Sequence, residues 1–435
     1  MMFDKHELYF CKRLLPLKVS IIYIAATFGL SIIGPIRYYD NAYKYWIVLP
    51  FILGVCFCLS IGYFFGCRSL NKTEIYYNDY SIIQRENRLL AFSLKLSIFS
   101  LMLELIYIIR LGHFSLNLFK LGILYNTRIE DNSNTVIFVR FICSSFRVAA
   151  NCLGIYKFKD LSKIQKRLVI LNIFLYFLVF LFGYGNQKGA SDVVIYLSIA
   201  IYVSRIKSGQ RVSKKSLRII ILVLVLSFFL FSYMQYLRYA PRGINASNFH
   251  LYATGEYYFD TNHIVFKLFG DKLGFGMAGI LSGYLSQGYY GLSLCMQLPF
   301  KWTYGIGSSY ALTKLLEKIG IEGIFERTYL SRMSRNFSRN GLSAWNTIFP
   351  WLASDFTWIG AALFFIFVGY FMAKAWKEII LNDNIISYIV FCITMILILF
   401  IPANNQVFHG YDSFISSWSF IIIWLFGRKK YMHES

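Results

Sequence analysis

Charge is scarce in this chain. Asp, Glu, Lys and Arg supply 15% of its 435 residues, against roughly 25% in soluble domains. Hydrophobic residues make up 57%, and the mean hydropathy is +0.51. Apolar runs of eighteen residues or more recur, and burial in a core cannot absorb so many without lipid around them. A soluble globule is therefore excluded. Acidic residues are scarcer still, 22 against 44 basic ones, leaving a net charge of +22. On an accessible soluble face such an excess would track nucleic-acid phosphates. Here the basic residues cluster between apolar runs, where charge orients a membrane protein. No nucleic-acid partner is expected.

Other absences narrow the chemistry. Six of the eight cysteines (Cys56, Cys58, Cys67, Cys143, Cys152 and Cys392) lie in apolar runs or at their ends. Only Cys295 falls in the long polar segment, so no disulfide framework is available there. No CxxC pair or Cys/His spacing offers a metal site. G-x-S-x-G, P-loop and H-E-x-x-H motifs are missing. No D-x-D pair stands near an outer helix end, which argues against a divalent-metal sugar-transfer site. Neither metal nor cofactor is expected. No repeat of 20–50 residues or inverted repeat is visible, so a transporter architecture gains no support.

What is present is a series of about ten apolar spans, near 19–36, 46–67, 90–110, 135–156, 168–185, 190–204, 219–237, 357–373, 385–401 and 413–427. The expected fold is all-α, a polytopic transmembrane bundle with one large outer loop carrying interfacial helices. Residues 1–237 hold spans one to seven, 238–355 form the loop, and 356–435 hold spans eight to ten and a tail. The basic N-terminus lacks a small-residue cleavage site and reads as leading into an uncleaved first helix. With that end inside, the inner segments hold 24 Lys and Arg and the short outer loops 6. The long loop is exempt, because long loops translocate regardless of charge. Both termini are thus expected in the cytoplasm. Residues 273–300 are uncharged and long enough to cross. Crossing would invert every later segment against the charge rule, so they read as an interfacial or re-entrant element within the outer loop.

Charges inside spans are costly and face a partner or a cavity. Glu104 and Arg140 lie at similar depth on spans three and four, and Arg147 lies deeper. They read either as a structural pair or, for Arg140 and Arg147, as the lining of an outward-open cavity for an anionic head group. On the outer side Lys188 occupies the turn between spans five and six, and Arg238 and Arg242 follow span seven. Arg327, Arg332, Arg335 and Arg339 form a run, the last three spaced to share one helix face. Guanidinium groups at this level bind phosphate in a forked geometry. His409, in ANNQVFHGYD, is the first candidate base and Asp355 the second. Asp192 reads as an ordinary interfacial residue. The loop is rich in aromatic residues, which suit either a membrane belt or a groove that stacks sugar rings.

Three groups of segments resemble the Wzy-type oligosaccharide repeat-unit polymerases, also called O-antigen polymerases. They are GYGNQKGA (183–190), the pair GYLSQGYYGLSL (283–294) and PFKWTYGIGSSYAL (299–312), and WNTIFPWLASDFTWIG (345–360). The resemblance implies an enzyme of the bacterial inner membrane. Its donor and acceptor would both be glycans linked to undecaprenyl diphosphate, joined at the periplasmic face, with membrane lipid and a chain-length regulator as further partners. It also implies a role for outer-loop arginines, and Lys188 stands where relatives commonly carry Arg. The expected reaction moves a growing chain from its lipid diphosphate to a hydroxyl of the incoming unit. Arg238, Arg242, Lys188, Arg140, Arg147, Arg335 and Arg339 are the candidates for holding the diphosphate. His409 or Asp355 would take the acceptor proton. A lipid-linked glycan ligase shares this topology and leaving group, and a polysaccharide-unit flippase is the alternative of a different class.

Overall fold

The computed structural model describes residues 12–39, 42–68, 80–117, 120, 134–207, 214–252, 256–337 and 339–433. Ten of its helices coincide with the ten expected spans. They are α1 (Leu15–Ile33), α2 (Tyr45–Arg68), α3 (Tyr80–Arg110), α4 (Asn134–Tyr156), α5 (Lys163–Phe177), α6 (Lys188–Lys207) and α7 (Lys214–Tyr239), then, further along the chain, Phe349–Asn382, Ile385–Leu399 and Tyr411–His433. Between these two groups lie α8 (Ile264–Gly279), α9 (Gln287–Cys295), α10 (Tyr310–Lys318) and α11 (Tyr329–Phe337). The last three spans are therefore α12, α13 and α14. Among the described residues, seven helices are long and apolar enough to cross a membrane, and two shorter apolar ones fall in α13 and α14. In lipid a backbone must satisfy its own hydrogen bonds, and helices do so within one segment. The chain is an all-α, multi-pass membrane bundle.

Local chemistry sets the helix ends. Ser162 and Gln165 form a reciprocal capping box at the start of α5. Asn384 caps α13 through the Ile386 and Ser387 amides. The end of α5 widens into a π turn over Leu178–Gly183, a distortion found at functional sites. Thr357 adopts a positive φ of 62° and divides α12, so residues 349–356 form a short helix ahead of the span.

Residues 34–39, residues 111–117 after α3 and the turns α5–α6 and α13–α14 lie on the same face of the bundle as the described residues of 240–348, here called the loop face. There Ile36–Tyr38 pairs antiparallel with Tyr257–Phe259, Arg238 reaches the Gly185 carbonyl, and Asn405 donates to the Ser308 carbonyl. At the opposite face Lys207 pairs with Asp383.

The uncharged stretch 273–300 is two broken helices packed on protein. An added Cβ on Gly276 of α8 would stand 1.9 Å from the Ser232 carbonyl oxygen of α7. Tyr289 of α9 shares a 2.9 Å hydrogen bond with Thr27 of α1. That is six residues below the end of α1, about 9 Å into the bundle at 1.5 Å per residue. Tyr289, Tyr329 and Met333 belong to the same buried apolar cluster as the spans. The long segment and the bundle therefore share one core.

Candidate active site

The α5–α6 turn starts the site. Its tight path uses Gly185 in the left-handed region (φ 61°), a conformation glycine adopts without penalty. Asn186 caps the turn by accepting from the Lys188 amide at 2.8 Å. The preceding π turn presents Tyr184, whose hydroxyl donates to Glu104 at 2.8 Å. Lys188 and Asp192, one helical turn apart, form an ion pair at 2.6 Å.

This turn borders a two-lobed cleft. One lobe, about 630 Å³, is lined by Phe180, Ile195, Phe228, Phe231, Leu285 and Phe400 together with Gln187, Ser191 and Arg238, and is called the apolar lobe for its phenylalanine and leucine wall. The second, about 660 Å³, runs deeper between α4, α5 and α6 and is lined by Arg147, Asn151, Tyr176, Asp192, Tyr196 and His409. Arg140, Asn186, Lys188, Trp345 and Gln406 border both lobes and mark the seam. Tyr284 packs against Trp345 with ring centroids 4.5 Å apart, which places an aromatic platform at that seam.

Charge is held there by a branched network. Glu104 meets Arg147 at 2.7 Å and Arg140 at 3.4 Å. Arg140 also donates to Asp412 at 2.9 Å and lies over the Tyr184 ring. Arg147 continues inward to Ser100 at 2.8 Å. Ser97, Asn172 and Asn151 extend the polar line across α3, α5 and α4. Arg238 is 6% exposed and lines the apolar lobe beside the turn. It donates to Gln235, to the Tyr284 hydroxyl and to Gly185. Among the described residues, the charged side chains of the cleft and their ion-pair partners are four cations (Arg140, Arg147, Lys188, Arg238) and three carboxylates (Glu104, Asp192, Asp412). The four cations gathered at this cleft favour an anionic ligand in a low-dielectric site.

The structure brings together five of the nine residues singled out from sequence: Arg140, Arg147, Lys188, Arg238 and His409. Glu104 and Arg140 form an ion pair, and Arg140 and Arg147 also line the cleft. Arg147 sits seven residues beyond Arg140, about 10 Å deeper along the helix, below head-group level. His409 lies between Tyr310 and Trp351, at ring-centroid distances of 5.3 and 4.9 Å. Its Nδ1 is buried without a hydrogen-bond partner. Burial lowers its pKa to about 4, so the imidazole is neutral at pH 7.

The other four are placed elsewhere. Asp355 is away from the cleft and fixes the 303–308 turn. Its carboxylate accepts from the Thr303 hydroxyl, from Gly307 N at 2.9 Å and from Ser308 N at 2.7 Å. A carboxylate engaged in this way anchors the turn. Arg339 lies beyond the end of α11 and shares no helix face with Arg332 and Arg335. It is 1% exposed, paired with Glu256 and stacked on Tyr290. Arg335 is exposed and donates to the Glu326 carbonyl. Arg242 is exposed beyond the end of α7 and borders neither lobe.

Sequence reasoning passed over Trp345, Gln187, Gln406 and Asp412, and treated Asp192 as ordinary. The signal was available, because Asn186 and Gln187 fall in GYGNQKGA, Trp345 opens WNTIF, and Gln406 and Asp412 flank His409. The fold and cleft define an all-helical, multi-pass membrane protein with a site at one face that combines an apolar groove, cations and a polar chamber. No family model, curated protein or solved structure matches this chain.

Proposed function

We propose that this protein joins oligosaccharide units carried on a lipid diphosphate, as a polysaccharide polymerase of the membrane. The observation that carries this reading is the seam, where Lys188 and Arg140, with Arg238 beside them, stand between the lobe walled by Phe228, Phe231 and Phe400 and the deeper lobe lined by Arg147, Asp192 and His409. An isoprenoid diphosphate sugar has the same three parts in the same order. The apolar lobe receives the chain, the cations the diphosphate, and the polar lobe the glycan. The distribution of basic residues among the short segments supports an extracytoplasmic loop face, and the membrane of this proposal is the bacterial inner membrane.

In the reaction, the bond between C1 of the donor sugar and the diphosphate oxygen breaks, and an acceptor hydroxyl oxygen bonds to C1. The lipid diphosphate leaves with the electron pair, and its developing charge meets Arg238, Lys188 and Arg140. The acceptor proton passes to His409, whose buried nitrogen is neutral and borders the polar lobe. An anion bound nearby raises the basicity of that imidazole.

The test is the surface polysaccharide of a deletion strain complemented with wild type or with Arg238→Ala. Wild type restores a ladder of chain lengths, and the variant gives one rung at unchanged protein level. Complete loss of attached glycan in the deletion strain identifies a ligase instead. Substrate held at the cytoplasmic face identifies a flippase.

A further inference from the structure

We infer that the deep lobe is a subsite for an uncharged monosaccharide ring, seated inside the bundle below the anion-binding seam. The inference rests on the lipid-diphosphate reading and adds the class of sugar. Arg147 uses Nη1 on Glu104 and Nε on Ser100, and its Nη2 is buried without a partner. Asp192 accepts from Lys188 at Oδ2, and its Oδ1 is buried without a partner. His409 Nδ1 is in the same condition. All three side chains line this one lobe. The lobe thus contains an obligatory donor, an obligatory acceptor and a nitrogen whose role follows its tautomer.

Buried polar groups of native proteins have partners, so three orphans around one chamber point to a ligand that supplies them. Charge decides which ligand. Arg147 is neutralised by Glu104 and Asp192 by Lys188, so the chamber is balanced before anything binds. A second anion or a cation would bring uncompensated charge into a low-dielectric space. Ring hydroxyls donate and accept at once, and they satisfy a guanidinium and a carboxylate without adding charge. Tyr176 and Tyr196 border the lobe and offer aromatic faces to the C–H face of a pyranose. Arg238 lines the other lobe, across the seam from Arg147 and Asp192, so the diphosphate binds at the rim and the first sugar hangs inward.

The experiment is a set of binding measurements on the full-length protein in lipid nanodiscs. The probes are undecaprenyl diphosphate, the same carrier bearing glucose, galactose or N-acetylglucosamine, and the carrier bearing glucuronic acid. The expected result is at least tenfold tighter binding for the best neutral sugar than for the bare carrier, with no gain for glucuronate. In Asp192→Asn, whose folding is checked by its thermal transition, the gain from the neutral sugar should fall below twofold. Equal binding of bare and neutral-sugar carriers by wild type overturns the subsite, as does preference for glucuronate. If none of the carriers binds, the lipid-diphosphate reading fails, and the subsite with it.

Discussion

Where α2 meets α12, glycine makes the contact. Gly62 and Gly66 face Ile366, Tyr370 and Ala373, while Gly369 faces Leu59 and Tyr63, so the two backbones touch without a polar group between them. Where α3, α4 and α5 meet, the helices are held by Glu104, Arg147, Ser100, Asn172 and Asn151. The first region is assembled by close packing of small residues, as membrane helices commonly are. The second keeps polar groups inside the bilayer and leaves some of them without partners. The difference teaches that the wall of the cleft gives up packing to retain hydrogen-bonding capacity, while α2 and α12 supply a rigid frame beside it.

The comparison breaks most completely at Gly62. A Cβ there would stand 1.8 Å from the Ile366 carbonyl oxygen. Gly62→Leu must separate two backbones, not just shift a side chain, at a cost of about 3 kcal/mol or more. Size-exclusion of the detergent-extracted protein should show aggregate in place of the wild-type peak. A monodisperse variant would show that the helix pair is not the frame.

In the polar region the largest effect falls on Glu104. Glu104→Ala leaves Arg140 and Arg147 without their shared carboxylate, and breaking a buried pair in this way costs about 3–5 kcal/mol. The thermal transition should fall steeply, whereas Asp412→Ala, at a partly exposed partner, should lower it little. Equal losses would mean that the network is no more demanding at its buried end than at its rim.

Function separates the regions in a different way. Arg238→Ala should lower polymer formation about 100-fold, or about 2.7 kcal/mol of transition-state stabilisation, with the thermal transition within a few degrees of wild type. If glycan chain lengths are unchanged, the cleft is not where the diphosphate leaves.

The pH dependence offers a finer test. Burial holds His409 near a pKa of about 4 in the folded protein, against about 6.5 when unfolded. Between these values the unfolded chain binds more protons, so stability is present above pH 6.5 and declines as pH falls toward 4. The ring is half-buried, so the loss should be about 2 kcal/mol, below that for the full shift. His409→Gln should remove this acid-side decline in thermal unfolding, and a variant retaining it would assign the decline to other groups.

The sequence made the ten spans legible because their apolar runs are longer than a core helix needs. The broken-helix path of residues 273–295 could be read only as uncharged and glycine-rich. Which backbone Gly276 or Gly288 approaches depends on contacts far away in the chain. The site was half legible for the same reason. Lys188, Arg238 and Arg140 stand out as charges near span ends, where position alone limits what they can do. Arg339 and Asp355 look similar in sequence, but the fold buries one against Glu256 and Tyr290 and closes a turn around the other. Asp192 looked ordinary because its unpartnered oxygen matters only once α4 and α5 close a chamber around it.

The smallest effect sharpens that last distinction. Arg335 and Arg242 carry the same charge as Arg238 and lie in the same long segment, so a view based on charge alone treats the three alike. Geometry does not, because Arg335 spends its guanidinium on the Glu326 carbonyl at an exposed helix face and Arg242 borders neither lobe. At exposed positions a lost charge acts through a field that salt screens within about 8 Å. Arg335→Ala and Arg242→Ala should therefore keep polymer yield and chain length within about twofold of wild type, because surface contacts of this kind contribute about 0–1 kcal/mol. The same ladder gel that reads Arg238→Ala reads these two variants. A collapse to one rung in either would move the diphosphate out of the cleft and onto the surface of the long segment.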